Sequence, residues 1–496
     1  MPKRTATLDL TLAPRDAAVP AYRWLAGALR DAILAGRLLP GTRLPASREL
    51  ARQYGLARGT ILMAFDQLRA EGYLRGRVGS GTYVNEVVPD ALLHVPRRRK
   101  PSASLPPPSA RPRTLSASAA RTVALGGYSH TPLRAFRANR PALDLFPASL
   151  WAKIAGRRMR HSTTALLLDC DAMGWRPLRA AVAGYLTASR GVNCAPEQVA
   201  IVGGVQEALD LAARLLVNPG DRVCMEDPGY HGAAHVFQSH GATICPVPVD
   251  REGMTVPSAE LRDVRLAYIT PAHQFPLSVS MTLPRRLALL QWAQSTGAVL
   301  FEDDYDSEYR FAGRPLPALQ GLDRHGVVLF AGSFSKVLFP SLRMGYLVLP
   351  PDLVDAAARL VSVTNRHAPL LDQAVLCDFI TEGHFGRHIR RMREVYAERL
   401  GVLQEGAARQ LAGLIELEGI EAGLQTTGWL CGGIDGDTAA NAAAKRDVEV
   451  VPLGRYARRP MPRAGLQLGF AAVDPIEIRR GVRELAAALE HLRRPV

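Results

Sequence analysis

The sequence predicts a two-domain α/β protein, with a small helical domain at the N-terminus and a large domain built on a mainly parallel β-sheet. The chain has 496 residues, which is more than one compact core usually holds. A basic segment rich in proline and serine, residues 87–125, separates two regions that have periodic apolar positions. In the longer region, helical stretches alternate with short β-branched runs such as residues 199–202, 222–225, 266–269 and 298–301. That alternation is typical of parallel sheets.

Composition indicates a globular protein of a reducing compartment. Apolar residues make up 47% and charged residues 22% of the chain, which are ordinary values. The six cysteines include no C-x-x-C pair, so the sequence predicts neither a disulfide framework nor a metal site. Asp9, Arg15 and Asp16 interrupt any secretory signal, and no run of about 18 apolar residues follows. We therefore expect a cytoplasmic protein.

The positive charge is concentrated at the N-terminus. The net charge is +15, and residues 1–125 hold 20 basic against 8 acidic side chains, while the remainder holds 41 against 38. Such asymmetry favours contact with a polyanion, and nucleic acid fits better than a membrane because no basic amphipathic helix with a broad aromatic face occurs. A solvated basic tail is the alternative.

The first 86 residues predict three helices and a β-hairpin. Apolar residues recur at steps of three and four from Ala21, and Gly36 ends that pattern. Ser47 opens a short second helix that Gly55 can stop. A third helix begins at residues 57–60, and strand-like runs at residues 73–75 and 82–84 flank a glycine-rich turn. The second and third helices form a helix-turn-helix candidate, and the hairpin is the wing.

The region from Gly36 to Val84 resembles the GntR-type winged helix. It holds the pattern G-x-L-x-P-G-x-R-L-P-x-S-R-x-L-A, then R-x-T-x-x-x-A-x-x-x-L, E-G-Y-L and G-S-G-T-Y-V. The resemblance implies a DNA interface that comprises Arg43, Arg48, Arg58, Thr60 and Gly79. Arginine binds guanine bidentately, a helix N-terminus accepts phosphate, and glycine allows close backbone approach. The alternative is a winged helix that binds proteins through the same surface.

Candidate chemistry in the large domain centres on residues 332–346. Three serines, one lysine and one arginine lie between Ser333 and Arg343. Lysine forms Schiff bases, and serine and arginine suit a phosphate group. Upstream, residues 301–306 form an apolar run that ends in carboxylates and a phenol, and a buried aspartate there can keep a pyridine nitrogen protonated.

Residues 140–490 resemble the fold-type I aminotransferases, which depend on pyridoxal phosphate. Further motifs stand in the order of that family, at residues 174–179, 219–223, 226–230 and 270–274. The resemblance implies that Lys336 holds the cofactor as an internal aldimine, that Asp303 pairs with the pyridine nitrogen, that Tyr305 bonds the ring oxygen, and that Tyr230 stacks on the ring. The phosphate would be held by Ser333, Ser335, Arg343 and the backbone at Gly204, Val205 and Gln206. A dinucleotide-binding fold is the competing interpretation, but the glycines near position 204 do not form G-x-G-x-x-G.

The order of the parts resembles the MocR family of transcription regulators, also called the GabR-type subfamily of the GntR family. The parts are a winged helix over residues 1–86, a linker over residues 87–125 and an aminotransferase-like effector domain over residues 126–496. The resemblance implies a head-to-tail homodimer on operator DNA. Its large domain would sense pyridoxal phosphate or an amino compound, through an external aldimine at Lys336, and would control a metabolic operon and its own gene. An active aminotransferase that carries a DNA-binding domain is the alternative.

Departures from the aminotransferase pattern favour the regulator. Gln467 takes the place of the usual arginine that holds a substrate α-carboxylate, and the N-P-T-G loop reads F-P-L-S at residues 275–278. Arg455 is a candidate effector contact, with a surface arginine as the alternative. Gly232 stands where some regulators that recognise γ-aminobutyrate carry an arginine. Pyridoxal phosphate itself, and taurine or another ω-amino acid, stay open as effectors.

Overall fold

A computed structural model describes residues 19–77, 81–86, 113–125, 132–161, 164–258, 261, 263–311 and 317–493. The chain divides into two compact units, residues 1–112 and 113–496. Within the described residues, no helix combines the length and the apolar character that crossing a membrane requires.

The small unit is the predicted winged helix-turn-helix. Its helices and strands are α1 (Ala21–Leu34), α2 (Ser47–Tyr54), α3 (Arg58–Ala70), β1 (Leu74–Arg77) and β2 (Gly81–Val84). The two strands pair antiparallel, with Leu74 opposite Val84. Apolar residues at helical spacing, including Leu25, Leu29 and Phe65, fill its core. The turn that contains Gly79 lies outside the described residues.

The end of the predicted linker is helical. The sequence places the linker over residues 87–125, yet α4 (Ala117–Ala124) lies within it, and the division between the two units falls after Pro112. The Ser116 hydroxyl accepts a hydrogen bond from the Ala119 amide, which caps this helix, and the alanine-rich stretch that follows has high helix propensity. Residues 113–125 are therefore part of the large unit.

An eight-stranded sheet forms the centre of the large unit. In spatial order, its strands are β3 (Val199–Val202), β10 (Gly345–Val348), β9 (Val328–Ser333), β8 (Val299–Asp304), β7 (Val264–Ile269), β4 (Arg222–Asp227), β5 (Thr243–Asp250) and β6 (Gly253–Met254). The five strands from β9 to β5 are parallel, and β10 is antiparallel to both of its neighbours. The predicted mainly parallel sheet is confirmed.

Helices cover both faces of this sheet. Alternate residues of β4 show this, because Val223 and Met225 pack into one apolar cluster and Cys224 packs into another. The α-helices of the large unit after α4 are α5 (Ala148–Arg160), α6 (Thr164–Leu167), α7 (Arg176–Arg190), α8 (Val205–Leu216), α9 (His231–Ser239), α10 (Leu283–Thr296), α11 (Leu319–Leu322), α12 (Phe334–Val337), α13 (Val354–Thr364), α14 (Leu370–Thr381), α15 (His384–Gln410), α16 (Gly436–Ala444) and α17 (Pro475–Arg493). Single 3₁₀ turns occupy Leu143–Leu145, Pro196–Gln198, Ser307–Tyr309, Pro340–Leu342, Pro351–Leu353 and Leu453–Tyr456.

A second, antiparallel sheet was not anticipated from the sequence. Its spatial order is β11 (Ile415–Leu417), β12 (Gln425–Leu430), β14 (Gly465–Gly469) and β13 (Val451–Pro452). It brings polar side chains from the C-terminal part of the chain to the site described next.

Candidate functional site

The candidate site lies at the carboxyl edge of the parallel strands. Strands β4, β7, β8 and β9 run in the same direction, so the segments that follow them meet at one edge of the sheet. Those segments carry Tyr230, His273, Tyr305 and Lys336 in turn. The structure thus brings together four residues that are spread over more than one hundred positions of the chain.

Lys336 is the candidate nucleophile of this edge. It lies on the short helix α12, directly after β9, and its Nζ donates to the carbonyl of Asn139 at 2.9 Å. Burial and, second, the positive charge of Arg140 lower the pKa of the Lys336 ammonium to about 8, against the opposing effect of Asp306 and Asp303. A substantial share of the amine is therefore neutral near physiological pH, which is the reactive form for Schiff-base formation.

Asp303 supplies a buried carboxylate at the end of β8. The residue is 3% exposed, and its Oδ2 accepts a hydrogen bond from the Tyr268 hydroxyl at 2.7 Å. Burial raises the pKa of the Asp303 carboxyl to about 7. Its Oδ1 has no hydrogen-bond partner among the described residues. This oxygen is available to a cationic N–H group of a ligand.

Tyr305 belongs to a hydrogen-bonded group whose other members are His273 and Asp306. Its hydroxyl lies 3.0 Å from Nδ1 of His273, and that nitrogen lies 2.9 Å from Oδ2 of Asp306. All three residues are buried. His273 and Asp306 occur in the quoted motifs, but their joint role depends on a contact between two loops that no local pattern reveals.

The residues assigned to a phosphate group surround the N-terminus of α8. Gly204 precedes this helix with a φ of 118°, and a Cβ there would lie 3.8 Å from the Arg343 guanidinium. The first N–H groups of a helix, here those of Val205 and Gln206, have no intrahelical acceptors, so together with a guanidinium they suit an anion. The nearby serines are Ser333, whose hydroxyl accepts from the Ser335 amide at 3.2 Å, and Ser335, whose own hydroxyl is buried without a partner among the described residues.

Tyr230 is held by its neighbours at the end of β4. Gln206 Nε2 donates to its hydroxyl at 2.8 Å, and its ring centroid lies 5.7 Å from that of Phe275. A Cβ added at Gly232 would approach the Tyr230 ring to 2.4 Å and Gln206 Nε2 to 2.5 Å. A side chain at position 232 would therefore have to displace both residues.

Gln467 and Arg455, the two positions that bear on effector binding in the sequence, have different surroundings. Gln467 lies on β14, is 0% exposed, and its Oε1 accepts a hydrogen bond from the Tyr456 hydroxyl at 3.0 Å. Arg455 is more than half exposed, and its guanidinium pairs with Asp437 at 2.7 Å. A role for Arg455 in effector binding stays a prediction, and it would require this ion pair to open.

In the small unit, the arginines assigned to DNA contact are exposed. Arg43 and Arg48 are exposed, and Arg58 is the first residue of α3, where its Nε donates to the Ser47 hydroxyl at 3.4 Å. Thr60 is half-buried and lies in the first turn of α3. None of the three arginines pairs with a carboxylate of the described residues, in contrast to the pairs Arg30–Glu71, Arg69–Asp66 and Arg75–Glu86.

Two family models match the chain in the order that the fold shows. The model for bacterial regulatory proteins of the gntR family matches residues 21–84, and the model for aminotransferases of class I and II matches residues 151–417. The chain is 43% identical to the probable rhizopine catabolism regulatory protein MocR of Rhizobium meliloti, with 96% of this chain and 94% of that protein covered. The chain belongs to the MocR-type regulators of the GntR family.

Other relatives agree with this membership. The pyridoxine biosynthesis transcriptional regulator PdxR of Corynebacterium glutamicum is 31% identical, with 98% of this chain and 99% of that protein covered. Among solved structures, the α-aminoadipate aminotransferase LysN of Thermus thermophilus, complexed with N-(5'-phosphopyridoxyl)-L-leucine, matches with a TM-score of 0.66 and 29% identity. That match covers 76% of this chain and 95% of the aminotransferase.

The cofactor of this MocR-type regulator is pyridoxal phosphate. The residues at the sheet edge fit it in three respects. Asp303 offers an unpartnered buried oxygen for a protonated ring nitrogen, the N-terminus of α8 with Arg343 offers a phosphate site, and Lys336 offers an amine of lowered pKa. The chain is therefore a DNA-binding transcription regulator with an aminotransferase-like domain.

Proposed function

We propose that this regulator senses pyridoxal phosphate or an amine effector at Lys336 and converts that event into altered operator binding. When bound, pyridoxal phosphate supplies an electrophilic carbon that combines with amines. Lys336 is the amine of the protein that holds this carbon, and an amine effector displaces it. One observation carries the proposal: the Lys336 amine, whose pKa is lowered to about 8, lies at the same edge of the sheet as the buried carboxylate of Asp303.

Each remaining site residue has one task in this proposal. Asp303 keeps the ring nitrogen protonated, Tyr305 bonds the ring oxygen, and Tyr230 stacks on the ring. The phosphate is held by Ser333, Ser335, Arg343 and the backbone of Gly204, Val205 and Gln206. Arg455 is a candidate contact for an anionic effector group once its pair with Asp437 opens.

The DNA-binding half acts through its exposed cations. Arg43 and Arg48 contact backbone or bases, Arg58 and Thr60 open the recognition helix in the major groove, and Gly79 lets the wing approach a phosphate. The target is double-stranded operator DNA that controls a metabolic operon and the gene of the regulator itself. We further propose that the protein is cytoplasmic and forms a head-to-tail homodimer. A dimer supplies the two DNA-binding domains that an operator with two half-sites requires.

Coupling between the halves needs a connection from the cofactor edge to the linker. Helix α9 begins directly after Tyr230 and ends at Ser239, and α4, at the end of the linker, packs on it. Arg121 of α4 donates to the Ser239 carbonyl. An effector that shifts Tyr230 and α9 would therefore act on the segment that leads to the DNA-binding unit, provided that it binds the two domain arrangements with different affinity.

The test is an absorbance titration of the purified holoprotein with candidate amines, followed by operator binding at fixed salt. A spectral shift together with changed operator affinity, and without formation of a keto acid, supports the proposal. Sustained keto-acid formation would instead favour an active aminotransferase, the second candidate, which the reactive form of Lys336 and the match to a solved aminotransferase support. The loss of an arginine at position 467 argues against efficient turnover of α-amino acids.

A further inference from the structure

Three uncharged polar side chains form one face of the second sheet beside the candidate site. Thr427 of β12 lies opposite Gln467 of β14, and Gln425 lies two residues before Thr427. Residues two apart on a strand point to the same side, so the three share a face. All three are 0% exposed. We call these three residues, Gln425, Thr427 and Gln467, the amide face.

Hydrogen bonds place the amide face between Lys336 and Tyr456. The Gln425 Oε1 accepts from the Asn139 amide at 2.9 Å, and the Asn139 carbonyl in turn accepts from Lys336 Nζ. At the other end, the Gln467 Oε1 accepts from the Tyr456 hydroxyl. The Tyr456 ring lies against Phe275, with the centroids 4.9 Å apart. Phe275 in turn contacts Tyr230, so the amide face borders the cofactor edge.

The amide face has unused hydrogen-bonding capacity. Nε2 of Gln467 is buried without a hydrogen-bond partner among the described residues. Nε2 of Gln425 makes no hydrogen bond of normal geometry there either, but its side chain interacts with Tyr305 and opposes the burial that raises the pKa of that tyrosine. Buried amide N–H groups are nearly always satisfied, and a group without a partner in the protein points to an acceptor supplied by a ligand. Gln467 is thus the residue of the amide face whose donor is available to a ligand, because its oxygen is already bonded by the Tyr456 hydroxyl.

The chemistry of this face suits hydroxyl groups better than a carboxylate. An amide N–H₂ donates to a hydroxyl oxygen. The Tyr456 and Thr427 hydroxyls donate to Gln467 Oε1 and to the Pro276 carbonyl, so their oxygens can accept from a ligand hydroxyl. A carboxylate or sulfonate taken out of water needs a cation, and none of the three side chains provides one. The positive charge of Arg140 acts on the amine of Lys336.

We propose that the effector is an amine whose other end carries neutral hydroxyl groups, bound by Gln467, Gln425 and Tyr456, and not an amino acid or amino sulfonate. This inference rests on the proposed function, because it assigns the class of amine that displaces Lys336. It makes Gln467 the residue that determines specificity, since the aminotransferase pattern has an arginine for an α-carboxylate at that position.

The experiment compares amines that differ only at the far end. The holoprotein is titrated by absorbance with 3-amino-1,2-propanediol against 3-amino-2-hydroxypropanoate, and with 3-amino-1-propanol against β-alanine. In each pair a hydroxymethyl group replaces a carboxylate. We expect the hydroxylated amine to shift the spectrum at a concentration at least about tenfold lower. Equal or tighter binding of the carboxylates overturns the inference.

The variant Gln467→Arg tests the residue itself. We expect it to reverse the preference in both pairs, and the milder Gln467→Asn to weaken the hydroxylated amines without favouring the carboxylates. Retained cofactor absorbance shows that each variant is folded, and Gln294→Arg, which places the same charge on an exposed position of α10, serves as the matched control. A preference that neither Gln467 variant changes overturns the inference, and a holoprotein whose spectrum no amine shifts overturns the proposed function itself.

Discussion

The guanidinium of Arg121 is bound to the carbonyl oxygen of Ser239, with both Nε and a terminal nitrogen at 3.2 Å from it. Ser239 is the last residue of α9, so its carbonyl has no intrahelical donor, and an arginine at a helix C-terminus is favoured by the helix dipole. The Ser118 hydroxyl approaches the same oxygen at 3.3 Å. This contact ties the end of the linker to the helix that starts next to Tyr230.

Replacement of Arg121 by alanine should separate sensing from regulation. In Arg121→Ala we expect the amine-induced absorbance change to keep its midpoint, because the contact lies at the far end of α9 from Tyr230. The change in operator affinity on effector addition should shrink by at least about half, since the link to the linker is lost. Gel-shift titrations with and without effector measure both quantities. Arg446→Ala, at a partly exposed pair with Glu484 of α17, should behave as the unmodified protein.

Replacement of Lys336 by alanine should abolish the visible absorbance band of lysine-bound cofactor. The fold should be retained, because the Nζ makes a single hydrogen bond, to the Asn139 carbonyl, among the described residues. Absorbance and circular dichroism check the two expectations. Lys153→Ala, at an exposed position of α5, is the control and should keep the band. A Lys336→Ala protein that still shows the band would refute the assignment of this lysine.

Cofactor capture by the apoprotein should depend on pH through Lys336. The neutral amine reacts, so the rate should rise by about tenfold per pH unit below the pKa and level off above it. With the pKa lowered to about 8, the plateau begins near that pH and not near the value of about 10.4 for an ordinary lysine. Burial is the main cause, and Arg140 is the second.

The variant Arg140→Gln separates these two causes. Removal of the positive charge should raise the Lys336 pKa and move the midpoint of the rate profile to higher pH, because burial alone then opposes the effect of Asp303 and Asp306. Stopped-flow absorbance after mixing the apoprotein with cofactor at different pH values gives the profile. An unchanged midpoint would mean that burial alone lowers this pKa.

Replacement of Arg58 by alanine should weaken operator binding. If Arg58 reads a base, the loss is about 1–3 kcal/mol on the specific sequence and small on unrelated DNA. If it meets only a phosphate, both sequences lose affinity alike and the salt dependence becomes shallower. Fluorescence anisotropy at several salt concentrations distinguishes these cases. A variant that binds both DNAs with the affinity of the unmodified protein at every salt concentration would remove Arg58 from the interface.

The buried ion pair behind the site should be important for stability. Arg190 and Asp304 are 6% and 3% exposed, and Arg190 Nε lies 2.7 Å from Asp304 Oδ2. Asp304→Asn removes the hydrogen-bonded countercharge of a buried guanidinium, while the charges of Glu308 and Glu302 still act on it. We therefore expect a loss of at most about 3–5 kcal/mol of unfolding free energy. Urea unfolding measures it. Glu197→Gln, at the exposed pair with Arg176, should leave the unfolding free energy almost unchanged, because solvent screens this pair.

Local patterns in the sequence predicted the parts of this protein that local chemistry determines. The β-branched runs gave strands β3, β4, β7 and β8 at the expected places, because a buried parallel strand must be apolar along its length. The motif around Lys336 and the carboxylates at the end of β8 marked the cofactor edge for the same reason, since residues after parallel strands reach one edge. The winged helix followed from its helical spacing and its turn glycines.

Contacts between distant segments were decided only by the tertiary structure. The Asn139 amide bonds Gln425, 286 positions away, and Arg121 reaches Ser239 across 118 positions. Such pairs form when a sheet and its covering helices pack, and no propensity or spacing encodes them. The sequence alone therefore determined the two kinds of domain and the cofactor edge. The tertiary structure determined the amide face and the attachment of the linker, because both depend on which buried surfaces meet.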